Sequence, residues 1–253
     1  MLTFTEADLQ AWITPLLWPF LRALALFTSL PVFGQRVVPT RVRIALAFFI
    51  AVAAQATLPA MPAVALDSSA ALMLAAQQVV IGLALGFAVR IVFAAVEMAG
   101  ELVGLQMGLN FAGFFDPATA TQTTGSGRLF GAMVALLFVV IDGHLAVIAA
   151  LVQSFSAFPV GPDVLGWLRT LQPQTWGAEL FQLGLWIALP LAGMLLFVNI
   201  VLGVISRVAP QINVFAVGFP ITLAVGLIGM LVTLPMMQGP FTMALEQMLA
   251  NFR

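Results

Sequence analysis

Four stretches of this chain run without a single charged residue: Ile44–Leu66, Ser68–Val89, Leu180–Ser206 and Val208–Leu245. Each reaches or exceeds the about 20 apolar residues that a helix needs to cross a hydrocarbon core of roughly 30 Å. In lipid every backbone N–H and C=O must be paired internally, so such runs fold as helices or as strands of a closed barrel. Barrel strands are short and alternate in polarity. These runs are continuous and rich in Leu, Ala and Met, which makes the expected fold an all-α integral membrane protein. Charged residues are 8% of the 253, against about 25% in soluble domains.

Six long, kinked apolar segments are expected, at about 9–34, 42–60, 68–108, 128–158, 178–208 and 212–250. Short breaks rich in turn formers separate them, such as "FGQRVVPTRVR" (Phe33–Arg43) and "LPAMPAVALDSS". In the last run, "PQINVFAVGFP" or "LPMMQGP" is the candidate break. No separate soluble domain and no fixed-period repeat stand out, so residues 1–253 read as one domain. The N-terminus carries Glu6 and Asp8 and no basic n-region, so it is not expected to be a cleaved signal peptide. Arg36, Arg41 and Arg43 favour a cytoplasmic first loop. All nine basic residues are Arg, and no basic stripe points to nucleic acid. With no cysteine, disulfide, thiolate-zinc and thiol redox chemistry are absent. No cofactor is expected.

Several residues fit badly in lipid. Arg22, Arg90, Glu97, Glu101, Asp142 and Arg207 lie in or beside apolar runs. Each would cost about 2.5–3.5 kcal/mol at a bilayer centre. Prolines at 15, 19, 31, 190, 210 and 220 free backbone groups that only protein or water can cover. The chain therefore expects partner helices, a polar lumen, or both.

Each polar group has two readings. Arg90, Glu97 and Glu101 are spaced by seven and four and share a helix face, as an ion relay or as a structural ion-pair network. Gly100, Gly104 and Gly108 form a stripe that lets backbones approach closely, either between subunits or within the chain. His144, the only histidine, sits in "IDGHL" as a titrating group or a packed polar contact, with no metal-ligand or nucleophile pattern beside it. Around Pro210, Arg207, Gln211 and Asn213 mark a broken helix that serves either as a transporter substrate site or as a capped bend. Acid–base and metal chemistry have no foothold, so no enzymatic activity is expected.

The stretch "DPATATQTTGSG", Asp116–Gly127, is small, polar and flexible between apolar flanks. It cannot lie in lipid with its backbone unpaired. It is either a water-exposed turn or a loop in an aqueous path.

The blocks "FLRALALFTSLPVFGQRVVPTRVRIALA" (Phe20–Ala47), "AGELVGLQMGLNFAGFFDP" (Ala99–Pro117), "DGHLAVIAALVQSF" (Asp142–Phe155) and "LLFVNIVLGVISRVAPQINVFAVGFP" (Leu195–Pro220) resemble the FliR/SctT family of type III export-gate proteins. The resemblance runs nearly end to end. It implies a subunit of the flagellar gate in the bacterial inner membrane, within the flagellar basal body. The expected partners are FliP-like and FliQ-like subunits, FlhB-like and FlhA-like components below them, and unfolded protein substrates. It also implies helical hairpins whose awkward charges are covered by sister subunits.

By family motif, the loop after "GLNFA" projects into the pore as a plug. Here that covers Asn110, Phe111, Phe114, Phe115, Asp116, Pro117, Thr119, Thr121, Gln122, Thr123, Thr124, Gly125 and Ser126. Buried polar or interface roles fall to Arg90, Glu97, Glu101, Gly100, Gly104, Gly108, Arg207, Gln211 and Asn213. A secondary transporter with its site near Pro210 is the alternative.

Overall fold

The computed structural model describes residues 6–35, 37–62, 64–109, 124–161, 166, 171–211 and 213–253. Regular structure among them is helical throughout: α1 (Glu6–Ser29), α2 (Thr40–Ala54), α3 (Ser69–Gln106), α4 (Gly125–Val140), α5 (Gly143–Ala157), α6 (Trp176–Val208), α7 (Val214–Thr233) and α8 (Gln238–Ala250). Short 3₁₀ turns, Pro173–Thr175 and Leu234–Met237, precede α6 and α8. This is the all-α membrane fold expected from the uncharged runs. Ser69–Gln106, Pro173–Val208 and Ala216–Ala250 are long and apolar enough to cross a membrane.

Local chemistry explains the helix ends. Gly34 closes α1 by donating to Leu30 O at 2.6 Å, and a Cβ there would stand 2.7 Å from that same oxygen. Arg43 Nη2 donates to Gln35 O (2.7 Å) and Val38 O (3.0 Å), which ties the turn to the start of α2. Ser68 Oγ accepts from Ala71 N at 3.2 Å and caps α3. Gly108, with φ 79°, ends α3 in the left-handed region that suits glycine.

One segment breaks where no break is expected from the sequence, and another breaks within an expected stretch. The 128–158 stretch is two helices, because Asp142 adopts φ 56° and its carbonyl accepts from Leu145 N (2.9 Å) to begin α5. The 212–250 stretch is interrupted by the 3₁₀ turn at Leu234–Met237, within "LPMMQGP", while the break near Pro210 ends α6.

The chain divides into two compact units. One comprises Met1–Ile91, Asp142–Trp176 and Leu245–Arg253. Its core includes Trp18 packed with Ala71 and Leu74, and an aromatic chain in which Trp176 stands 6.0 Å from Phe87 and 6.2 Å from Phe252. The other comprises Val92–Ile141 and Gly177–Ala244. There the Phe93 ring lies edge-on to Phe138 (5.4 Å) and Phe241 (5.7 Å).

Candidate functional site

The second unit holds both ends of the candidate plug loop. Asn110, Phe111, Phe114, Phe115, Asp116, Pro117, Thr119, Thr121, Gln122 and Thr123 lie outside the described residues. The residues that hold their flanks are described. On the upstream side, α3 ends with carbonyls that its own helix leaves unpaired. Asn199 Nδ2 of α6 donates to Gln106 O at 3.3 Å, and Thr222 Oγ1 of α7 donates to Met107 O at 3.3 Å. Gly226 of α7 leaves the space that the Met107 side chain fills, since a Cβ there would stand 2.6 Å from Met107 Cγ. Two helices, α6 and α7, thus fix where the chain leaves α3.

On the downstream side, Glu101 reaches from α3 to the start of α4. Its Oε1 accepts from Thr124 N at 2.8 Å. Thr124 Oγ1 accepts from Gly127 N at 3.1 Å, as an N-cap, and shares a hydrogen bond of 2.8 Å with Ser126 Oγ. Gly125 and Ser126, expected in the loop, belong to the first turn of α4, with Thr124 as its N-cap. The reason is that capping pair: the hydroxyl and the Glu101 carboxylate satisfy donors that α4 leaves open. A carboxylate at a helix N-terminus also meets the positive end of the macrodipole.

Glycines let α3 and α4 meet. A Cβ on Gly100 would stand 2.8 Å from Phe130 Cβ, and one on Gly104 would overlap Ser126 Oγ. In return, a Cβ on Gly127 would overlap the Glu101 carboxylate, and one on Gly131 would stand 3.1 Å from Glu97 Oε1. Gly100 and Gly104 are therefore filled by side chains of the same chain.

The other candidates are more dispersed. Arg90, Glu97, Arg207, Gln211 and Asn213 are exposed on the single chain, and Glu101 is half-buried. Asn213 Oδ1 accepts from Ala216 N at 3.3 Å and so caps α7 after the break at Pro210. His144 Nδ1 is a buried atom with no hydrogen-bond partner among the described residues. No group of three or more Asp, Glu or His among the described residues is placed to hold a metal ion.

Sequence reasoning missed the two pins, Asn199 and Thr222, and the partners of Arg22. Arg22 stood out as a charge in an apolar run, and the Gln77–Gln78 pair in "LAAQQVV" was the signal for its acceptor.

The sequence pattern of Bacterial export proteins, family 1, matches residues 13–248 and so spans both units. The chain belongs to this family. Flagellar biosynthetic protein FliR of Escherichia coli (strain K12) is 42% identical over 241 residues, covering 95% of this chain and 92% of its own length. The protein of the same name from Pectobacterium carotovorum subsp. carotovorum is 40% identical over 236 residues, with 93% and 90% covered. That from Bacillus subtilis (strain 168) is 30% identical over 240 residues, with 90% and 91% covered. The FliR-like blocks read in the sequence agree with these matches. The chain is a membrane protein of a bacterial export family, and its flank-fixing contacts on α3, α4, α6 and α7 all fall inside the matched region.

Proposed function

We propose that this chain is a subunit of the flagellar type III protein-export gate in a bacterial inner membrane. In this reading it forms, with FliP-like and FliQ-like partners, the pore through which unfolded rod, hook and filament proteins leave the cell. FlhA-like and FlhB-like components stand below it, and residues 1–253 act as one gate domain. The observation that carries the reading is the nearly full-length similarity to proteins named FliR.

The uncovered faces support it. Only 22% of the best apolar window in Pro173–Val208 and 28% of that in Ala216–Ala250 is buried by the chain itself. Phe181, Trp186, Phe197, Ile228 and Leu231 are among the large side chains left exposed. Apolar area of that kind requires lipid or partner helices. The proposed plug, Asn110–Thr124, gains support from its composition and from the anchors that hold its two flanks. Phe111, Phe114 and Phe115 supply the bulk to seal a constriction, and the Thr-rich tract stays soluble in a wet lumen. Nothing specific favours the transporter: its supposed site near Pro210 is a helix break followed by the Asn213 cap.

The test is purification of the tagged chain in mild detergent from its own host, with identification of the co-purifying proteins. Small helical membrane proteins of the FliP and FliQ kinds are expected in fixed proportion. A chain that purifies alone, folded and binding a small solute, would overturn the proposal.

A further inference from the structure

Arg22 is fully buried in α1, and every acceptor it meets among the described residues is neutral. Its Nε and Nη2 both donate to Gln78 Oε1 of α3, at 2.8 and 2.5 Å. Its Nη1 donates to Ser154 Oγ (2.9 Å) and its Nη2 to Phe158 O (2.9 Å), both at the end of α5. The guanidinium carbon stands 3.7 Å from the centre of the Phe155 ring.

A carboxylate would be the ordinary partner for such a fork. Here dipoles take that part. Ser154 and Phe155 belong to the last turn of α5, and Phe158 is its C-cap. That end carries the negative pole of the helix macrodipole, and α5 has no basic residue of its own in its last turn. The face of Phe155 adds its quadrupole. The acceptors are themselves aimed. Gln78 Nε2 donates to Gln77 Oε1 at 3.0 Å, which turns Oε1 toward Arg22. Ser154 Oγ donates to Leu151 O at 2.7 Å, which leaves a lone pair for Arg22.

We infer that Arg22 is a charge lock that seats α1 against α3 and α5. Compensation by dipoles exists only when the other helices are in place. Gln78 lies 56 residues downstream of Arg22, and Phe158 lies 136. Until α5 has formed its end, the charge has nowhere to go, and bare lipid disfavours it strongly. The apolar part of α1, Ile13–Ser29, is also shorter than the candidate spans and contains Pro15 and Pro19. None of this depends on the export-gate reading.

Hydrogen–deuterium exchange on the full-length chain in mild detergent tests the lock. Arg22→Met keeps the bulk and removes the charge and all four donated bonds. It should speed exchange in α1 peptides on the order of a hundredfold, while α7 peptides keep their wild-type rates. Gln78→Glu gives the fork a carboxylate and should slow α1 exchange. Unchanged α1 protection in Arg22→Met would overturn the inference, and so would an equal rise in α7. If Arg22→Met does not accumulate, Gln78→Glu decides: faster α1 exchange in that variant sinks the lock.

Discussion

Replacing Gly104 by alanine adds one methyl group, and the structure says where it goes. The new Cβ would overlap Ser126 Oγ and stand 3.3 Å from Thr124 Oγ1. Ser126 Oγ is already bonded to Thr124 Oγ1, which in turn caps α4 by accepting from Gly127 N. The methyl must push Ser126 aside, so the damage passes into the cap. Overpacking of this kind costs about 1–3 kcal/mol. Loss of an N-cap adds about 1 kcal/mol. Alanine recovers about 0.5–1 kcal/mol by restricting the unfolded backbone of a helical glycine. The net loss expected for Gly104→Ala is therefore about 1–3 kcal/mol. Gly125→Ala is the control, because a Cβ there meets nothing within 4 Å. Thermal unfolding of the full-length protein in detergent, followed by tryptophan fluorescence, should place Gly104→Ala well below wild type and Gly125→Ala at or above it. Equal midpoints for the two variants would refute the packing of α3 on α4 described here. Normal stability of Gly104→Ala combined with loss of co-purifying partners would instead move the glycine stripe to a subunit interface.

Gly108→Ala forces an L side chain into φ 79° at the end of α3, and the same unfolding assay should show a loss of about 1–2 kcal/mol. Arg207→Ala removes an exposed side chain, so chain stability should stay within about 0.5 kcal/mol, while pull-down of partners falls if that surface is a gate interface. Deleting Ala118–Thr123 spares Thr124 and its contacts with Glu101 and Gly127. That variant should assemble normally yet raise ion flux across the inner membrane; a deleted gate as tight as the intact one would remove the plug reading.

The sequence was most informative where one rule acted alone. Long uncharged runs located α3 and α6, because lipid leaves a backbone few other choices. The break at Asp142 was harder to see. Flanked by Ile141 and Gly143, it has no proline, and only the Asp-Gly pair hinted at a turn. Pairings across the chain were not legible at all. The charge of Arg22 was plain, but its acceptors lie 56 to 136 residues away. The glycine stripe announced close packing without saying against what, since Ser126 and Phe130 carry no mark of their partner. Likewise, nothing local in "GSG" shows that Glu101, 23 residues earlier, closes the start of α4.

Export itself is the most direct test of the account. Its measurement is the release of flagellar hook and filament proteins into the medium by the native bacterium after this chain is removed. The account predicts that those proteins remain inside the cell, that no filaments form, and that a plasmid copy of the intact chain restores both. Normal release of hook and filament proteins without the chain would contradict its place in the export gate.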